Sequence, residues 1–86
     1  MVSASPTAVV GLEVNETSDG LIVYDRQRER VHYLNATASM IFELSDGTRD
    51  VRRIAEAVGQ AYDTDQAPVA EVETCLSQLR DEGLVR

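Results

Sequence analysis

The hydrophobic period of this chain changes once, near residue 35, and that switch limits what it can fold into. Before the switch the signal is period two. Val10, Leu12 and Val14 alternate with Gly11 and Glu13, as in a half-buried strand. Asn15 to Gly20 is a turn cluster ending in Asp-Gly, a hairpin signal. Leu21 to Tyr24 is β-branched and aromatic and reads as a second strand. A charged turn, Asp25 to Arg30, leads to a third strand over Val31 to Leu34. Residues 1–8 are small and polar and read as a flexible start, which leaves 9–86 as one domain.

After the switch the signal is helical. Ala38, Ile41 and Phe42 form one apolar face and Met40 with Leu44 a second, so this helix is expected at the centre of the fold. Asn35 or Thr37 caps its start, because a side-chain oxygen there accepts from the free N–H groups of the first turn. Gly47 suits a left-handed stop, and Thr48 is expected to cap a second helix. That helix carries Val51, Ile54, Ala55, Val58, Ala61 and Tyr62 as an amphipathic stripe. Pro68 stands where a third helix tolerates it. This helix places Val69, Val72, Cys75, Leu76 and Leu79 on one side and ends at Gly83, before a hydrophobic tail of Leu84 and Val85. Strands followed by helices, without alternation, predict an α+β fold of order βββααα and not a parallel sheet. Three strands cannot close into a barrel, so the sheet keeps two edges.

Charge and composition exclude several kinds of function. Fifteen carboxylates face eight cations, all of them Arg, for a formal charge of -7. Phosphate backbones attract basic faces, so this balance opposes nucleic acid and anionic lipid. No apolar run approaches the roughly 18 residues of a membrane span. Cys75 stands alone, so there is no internal disulfide, as suits a reducing, cytoplasmic setting. One His, one Cys, no Gly-rich phosphate loop and no paired carboxylate motif leave little from which to build a catalytic site. Asp63 and Asp65 lack the ligand spacing of a calcium loop, and no metal or cofactor is assigned.

The order and spacing of several short motifs resemble one family. They are Tyr33-Leu34-Asn35-Ala36-Thr37-Ala38, then Ile41, Leu44-Ser45-Asp46-Gly47-Thr48-Arg49, Val51, Ile54-Ala55 and the closing Gly83-Leu84-Val85. Together they resemble the PqqD-like proteins, also called RiPP recognition elements, over roughly residues 9–85. Two positions differ: Ala36 replaces a Pro common after Leu-Asn, and Phe42 stands where the family often has Trp. The resemblance implies a winged-helix-like fold that binds the leader segment of a ribosomally synthesised precursor peptide. The leader would add as a strand to the third strand, in the groove against the third helix. The protein would present it to a modifying enzyme: a radical S-adenosylmethionine protein, a cyclodehydratase or a leader peptidase. On this reading the peptide-binding residues are Arg30, Val31, His32, Tyr33 and Leu34 of the strand, with Val72, Leu76 and Arg80 of the helix. Leu34 and Leu79 belong more to the core than to the groove. Arg28, Arg30 and Arg80 are expected to pair with acidic leader side chains.

Each of these residues also has a plainer reading. His32 between apolar neighbours is expected to be packed or solvated. Cys75, on the apolar stripe, is a small core residue. Asp46-Gly47-Thr48 is explained as a helix stop plus a cap. Arg26, Arg28 and Arg30 form a solvated turn or a docking patch for the modifying enzyme. Two other functions compete with the adaptor. A winged-helix nucleic-acid binder would use the third helix, yet that helix sets Glu71, Glu73, Asp81 and Glu82 against Arg80 alone. A dimerisation module would pair the free edge with its own copy, so a monomer or weak homodimer is expected.

Overall fold

The computed structural model describes residues 5–86. Its elements run β1 (Glu13–Thr17), β2 (Gly20–Asp25), β3 (Arg30–Asn35), α1 (Ala36–Leu44), α2 (Val51–Ala61) and α3 (Val69–Asp81). This is the α+β order expected, with a three-stranded antiparallel sheet of order β1-β2-β3 followed by three helices. α1 lies at the centre, packed against β2, β3, α2 and α3. Leu21, Val23 and Leu34 of the sheet meet Ile41, Ile54, Val72, Leu76 and Leu79 in one core. Apolar faces of sheet and helices can be removed from water only against one another, and this is the layer arrangement that does so.

The caps decide where the helices begin and end. Asn35 Oδ1 accepts from the Ala38 N–H at 2.8 Å and starts α1. α2 is capped by Asp50, whose Oδ1 accepts from the Arg53 N–H at 2.9 Å, and not by Thr48. The Thr48 N–H and hydroxyl instead both donate to Asp46, closing a tight turn two residues earlier. Gly83, at φ 77°, ends α3 in the left-handed conformation. The Leu84 N–H then returns to the Leu79 carbonyl at 2.9 Å, which folds the buried pair Leu84 and Val85 into the core.

Two expectations for the N-terminal region are corrected. Residues 1–4 of the expected flexible start lie outside the described residues. Residues 5–8 are held in place: Pro6 is buried, Ala8 N–H donates to the Ser45 carbonyl at 2.7 Å, and Thr7 exchanges backbone bonds with Arg86. The alternation of Val10, Leu12 and Val14 is not a half-buried strand. The Val9 N–H is bonded to Leu84, the chain turns at Val10 and Gly11, and pairing with β2 begins only at Glu13. β1 therefore overhangs the helical layer, all five of its residues are exposed, and it takes in Asn15–Thr17 from the expected turn.

Candidate peptide-binding site

The register of the sheet fixes which backbone groups of β3 are free. β1 and β2 are joined by two residues, Ser18 and Asp19, and pair from Thr17↔Gly20 outward. A two-residue hairpin closes on a hydrogen-bonded pair, and such pairs alternate along an antiparallel ladder. Gly20, Ile22 and Tyr24 thus direct their N–H and C=O groups to β1, and Leu21, Val23 and Asp25 direct theirs to β3. The partners of the latter three are Leu34, His32 and Arg30. The remaining β3 residues, Val31, Tyr33 and Asn35, face away from β2, where no further strand is paired among the described residues. The Asn35 carbonyl opens α1, so the row left for a guest is the N–H and C=O of Val31 and Tyr33 and the N–H of Asn35.

Side chains follow the same alternation. Arg30, His32 and Leu34 lie on the helix side of the sheet, and Val31, Tyr33 and Asn35 on the opposite side. Tyr33 is 77% exposed and Val31 48%, and each stands beside a half-buried residue of β2, Ile22 and Tyr24 respectively. Together these four form an apolar patch on the back of the sheet. Leu34 is buried, as expected of a core residue. The His32 ring is tucked between β3 and the end of α3: its side chain is 9% exposed, Nδ1 lies 3.7 Å from Glu82, and Nε2 is buried with no partner among the described residues.

Beside the end of β3 an open groove of about 480 Å³ runs between α1 and α3. Asn35, Thr37 and Ala38 line one side of it, and Ala70, Glu71, Thr74, Cys75 and Gln78 the other. Glu71, Thr74, Cys75 and Gln78 are spaced i, i+3, i+4, i+7, one flank of α3. A smaller apolar cleft of about 240 Å³ adjoins it, shares Thr37, Glu71 and Cys75, and reaches Ile41, Val58, Tyr62, Pro68 and Val72. The Thr37 hydroxyl donates to the Tyr62 phenol oxygen at 3.0 Å and ties α1 to the end of α2 beside this cleft. Burial pushes the Cys75 thiol up from its ordinary pKa, and the Glu82 carboxylate adds to the shift.

The expected helix residues are not the groove's exposed wall. Val72 and Leu76 have almost no exposed surface, because they belong to the stripe that packs α3 into the core. Arg80 is exposed, but five residues from Cys75 at 3.6 per turn it lies about 140° around the helix, away from Thr74 and Gln78. Arg28 is engaged elsewhere, its N–H bonded to Asp25 and its guanidinium against Gly83. The wall residues Glu71, Thr74 and Gln78 are absent from the expected set; the signal that marks them is their place on the polar flank beside the apolar stripe.

The site is a small α+β module with a strand edge unpaired among the described residues, beside an open groove. Comparison with known proteins gives the family. The profile for coenzyme PQQ synthesis protein D (PqqD) matches residues 20–85, and the chain belongs to the PqqD family. A solved structure, TbiB1 in complex with the TbiA(beta) leader peptide, has a similar fold, with a TM-score of 0.79 at 18% identity. The match covers 93% of this chain and 94% of TbiB1. No curated protein matches the sequence. Among the described residues no helix is long and apolar enough to cross a membrane.

Proposed function

We propose that this protein is a non-catalytic adaptor that binds the leader segment of a ribosomally synthesised precursor peptide. The leader adds as a fourth strand to β3, lies in the groove against α3, and is presented to a modifying enzyme in the cytoplasm. That enzyme is a radical S-adenosylmethionine protein, a cyclodehydratase or a leader peptidase. The observation that carries this reading is the outward row at Val31, Tyr33 and Asn35 beside an open groove, in a member of the PqqD family. The similar fold of TbiB1, described in complex with a leader peptide, supports it.

Energetics require both parts of the site. A guest hydrogen bond contributes about 0.5–1.5 kcal/mol net. Ordering an extended peptide costs about 1–2 kcal/mol per residue. A few edge bonds cannot offset that, so the groove must also bury guest side chains, at roughly 25 cal/mol per Å² of apolar surface.

The test is a titration with candidate leader peptides followed by amide NMR. Saturable binding should move the Val31, Tyr33 and Asn35 amides most and slow their exchange with solvent. Binding that leaves these three amides unchanged overturns the strand-addition reading.

A further inference from the structure

The groove does not end where β3 ends. Past Asn35 it opens over Thr37 into the apolar cleft, and Glu71 and Cys75 belong to both spaces. The lining of that cleft includes the buried side chains of Ile41, Val58 and Val72. Its volume of about 240 Å³ exceeds the roughly 150 Å³ in which an engineered apolar cavity holds benzene. One large aliphatic or aromatic side chain therefore fits. None of the ion pairs among the described residues involves Glu71, and its neighbours around the groove, Asn35, Thr37, Ala38, Ala70, Thr74 and Gln78, carry no charge.

Glu71 is the charge that decides at this end of the groove. The start of α1 faces the same space and has no acidic residue in its first turn. A helix N-terminus carries only about half a positive charge, and Asn35 already accepts one of its N–H groups. A full carboxylate outweighs it. Arg30 stands at the other end of β3, across from Asp25.

We infer that Glu71 and the cleft behind it form a specificity subsite, which takes one large apolar leader side chain in the cleft and an adjacent Lys or Arg against the carboxylate. This rests on the leader-binding reading and adds to it the kind of sequence selected. It also reverses the expected sign, since the leader should be basic at this point, where the sequence reading anticipated acidic partners for Arg28, Arg30 and Arg80. An exposed ion pair of this kind is worth up to about fivefold in affinity. Filling the cleft is worth about tenfold to a hundredfold, so the apolar residue anchors and the cation selects.

A yeast-displayed library of random 14-residue peptides, sorted with the whole protein, tests this directly. Peptides that bind the protein but not Tyr33→Pro should carry a large apolar residue with Lys or Arg within two positions. Against Glu71→Lys the same peptides should weaken about fivefold or more, and those selected afresh should exchange the cation for Asp or Glu. Thr37→Trp, at an exposed position, should plug the passage and weaken wild-type binders about tenfold; Tyr62→Ala, which enlarges the cleft, should shift selection to bulkier residues if that variant does not fold. Tyr33-dependent peptides without either preference sink the subsite and leave the adaptor reading standing. If no Tyr33-dependent peptide emerges, the adaptor reading fails and the subsite fails with it.

Discussion

Tyr33→Pro separates the edge from the rest of the fold, because the register places the Tyr33 N–H outside the sheet. Proline removes that donor and no ladder bond to β2. The preceding residue, His32, is already extended, as proline requires of its neighbour. The cost to the fold is then mainly the side-chain pair with Ile22 across the strands, about 0.2–1 kcal/mol. The cost to binding is larger. A guest carbonyl that met this N–H is left buried and unpaired, at about 1–3 kcal/mol, which is roughly a 5- to 150-fold loss of affinity. Tyr33→Ala keeps the donor and should bind within a few-fold of wild type. His32→Pro removes a bond to Val23 inside the sheet and should lower stability instead. Anisotropy of a labelled leader measures affinity, and circular dichroism with urea melts measures the fold. A folded Tyr33→Pro variant with unchanged affinity refutes the assignment of the outward row.

Three further outcomes follow from single residues. Cys75 is the only cysteine and its thiol is pushed up by burial and then by Glu82, so at pH 8 iodoacetamide should label it more slowly than in the unfolded chain. Glu82→Gln should speed labelling and saturating leader should slow it; indifference to leader means the groove is not occupied. Gly83→Ala places a Cβ at φ 77° against the Arg28 guanidinium and should cost roughly 1–2 kcal/mol in urea denaturation, with a neutral result discounting the left-handed stop. The hydroxyl and N–H of Thr48 hold the Asp46 carboxyl below its ordinary pKa of 3.8, so its contribution to stability is present above that pH and fades as pH falls through the lower folded value. Thr48→Val should shrink this acid-side loss, and an unchanged acid limb removes Asp46 from the account.

The sequence made the element types legible because each apolar stripe has to face the same core. Ile54, Val58, Val72, Leu76 and Leu79 all lie where their periodicity put them. The first strand was misplaced because alternation alone does not show whether a segment finds a partner. Val10 and Leu12 alternate correctly, yet their stretch is drawn off by bonds to Ser45, Leu84 and Arg86, far away in sequence. Thr48 and Asp50 are both good caps, and only the position of the Arg53 N–H chooses between them. The free edge was legible from counting strands. The groove wall was not, because the reading took the apolar stripe of α3 for the binding face. A stripe continuous enough to be read in sequence is continuous enough to be buried, and the groove is lined by its polar flank.

The parity of β3 divides the work of binding between two elements. The residues that offer backbone groups, Val31 and Tyr33, turn their side chains to the back of the sheet, away from the helices. Those whose side chains face α3, His32 and Leu34, spend their backbone groups on β2. On the strand-addition reading, a guest pairs with the outward backbone row of β3 and meets the Val31 and Tyr33 side chains on the back of the sheet. On the same reading, charge and polarity on the helix side are set by Glu71, Thr74 and Gln78 on α3 and Thr37 on α1. If a leader binds there, changes in β3 should alter whether it binds, and changes along the polar flank of α3 should alter which one does. Of the groove flank of α3 only Cys75 also packs on the core; Glu71, Thr74 and Gln78 are exposed, so these three can change without disturbing it.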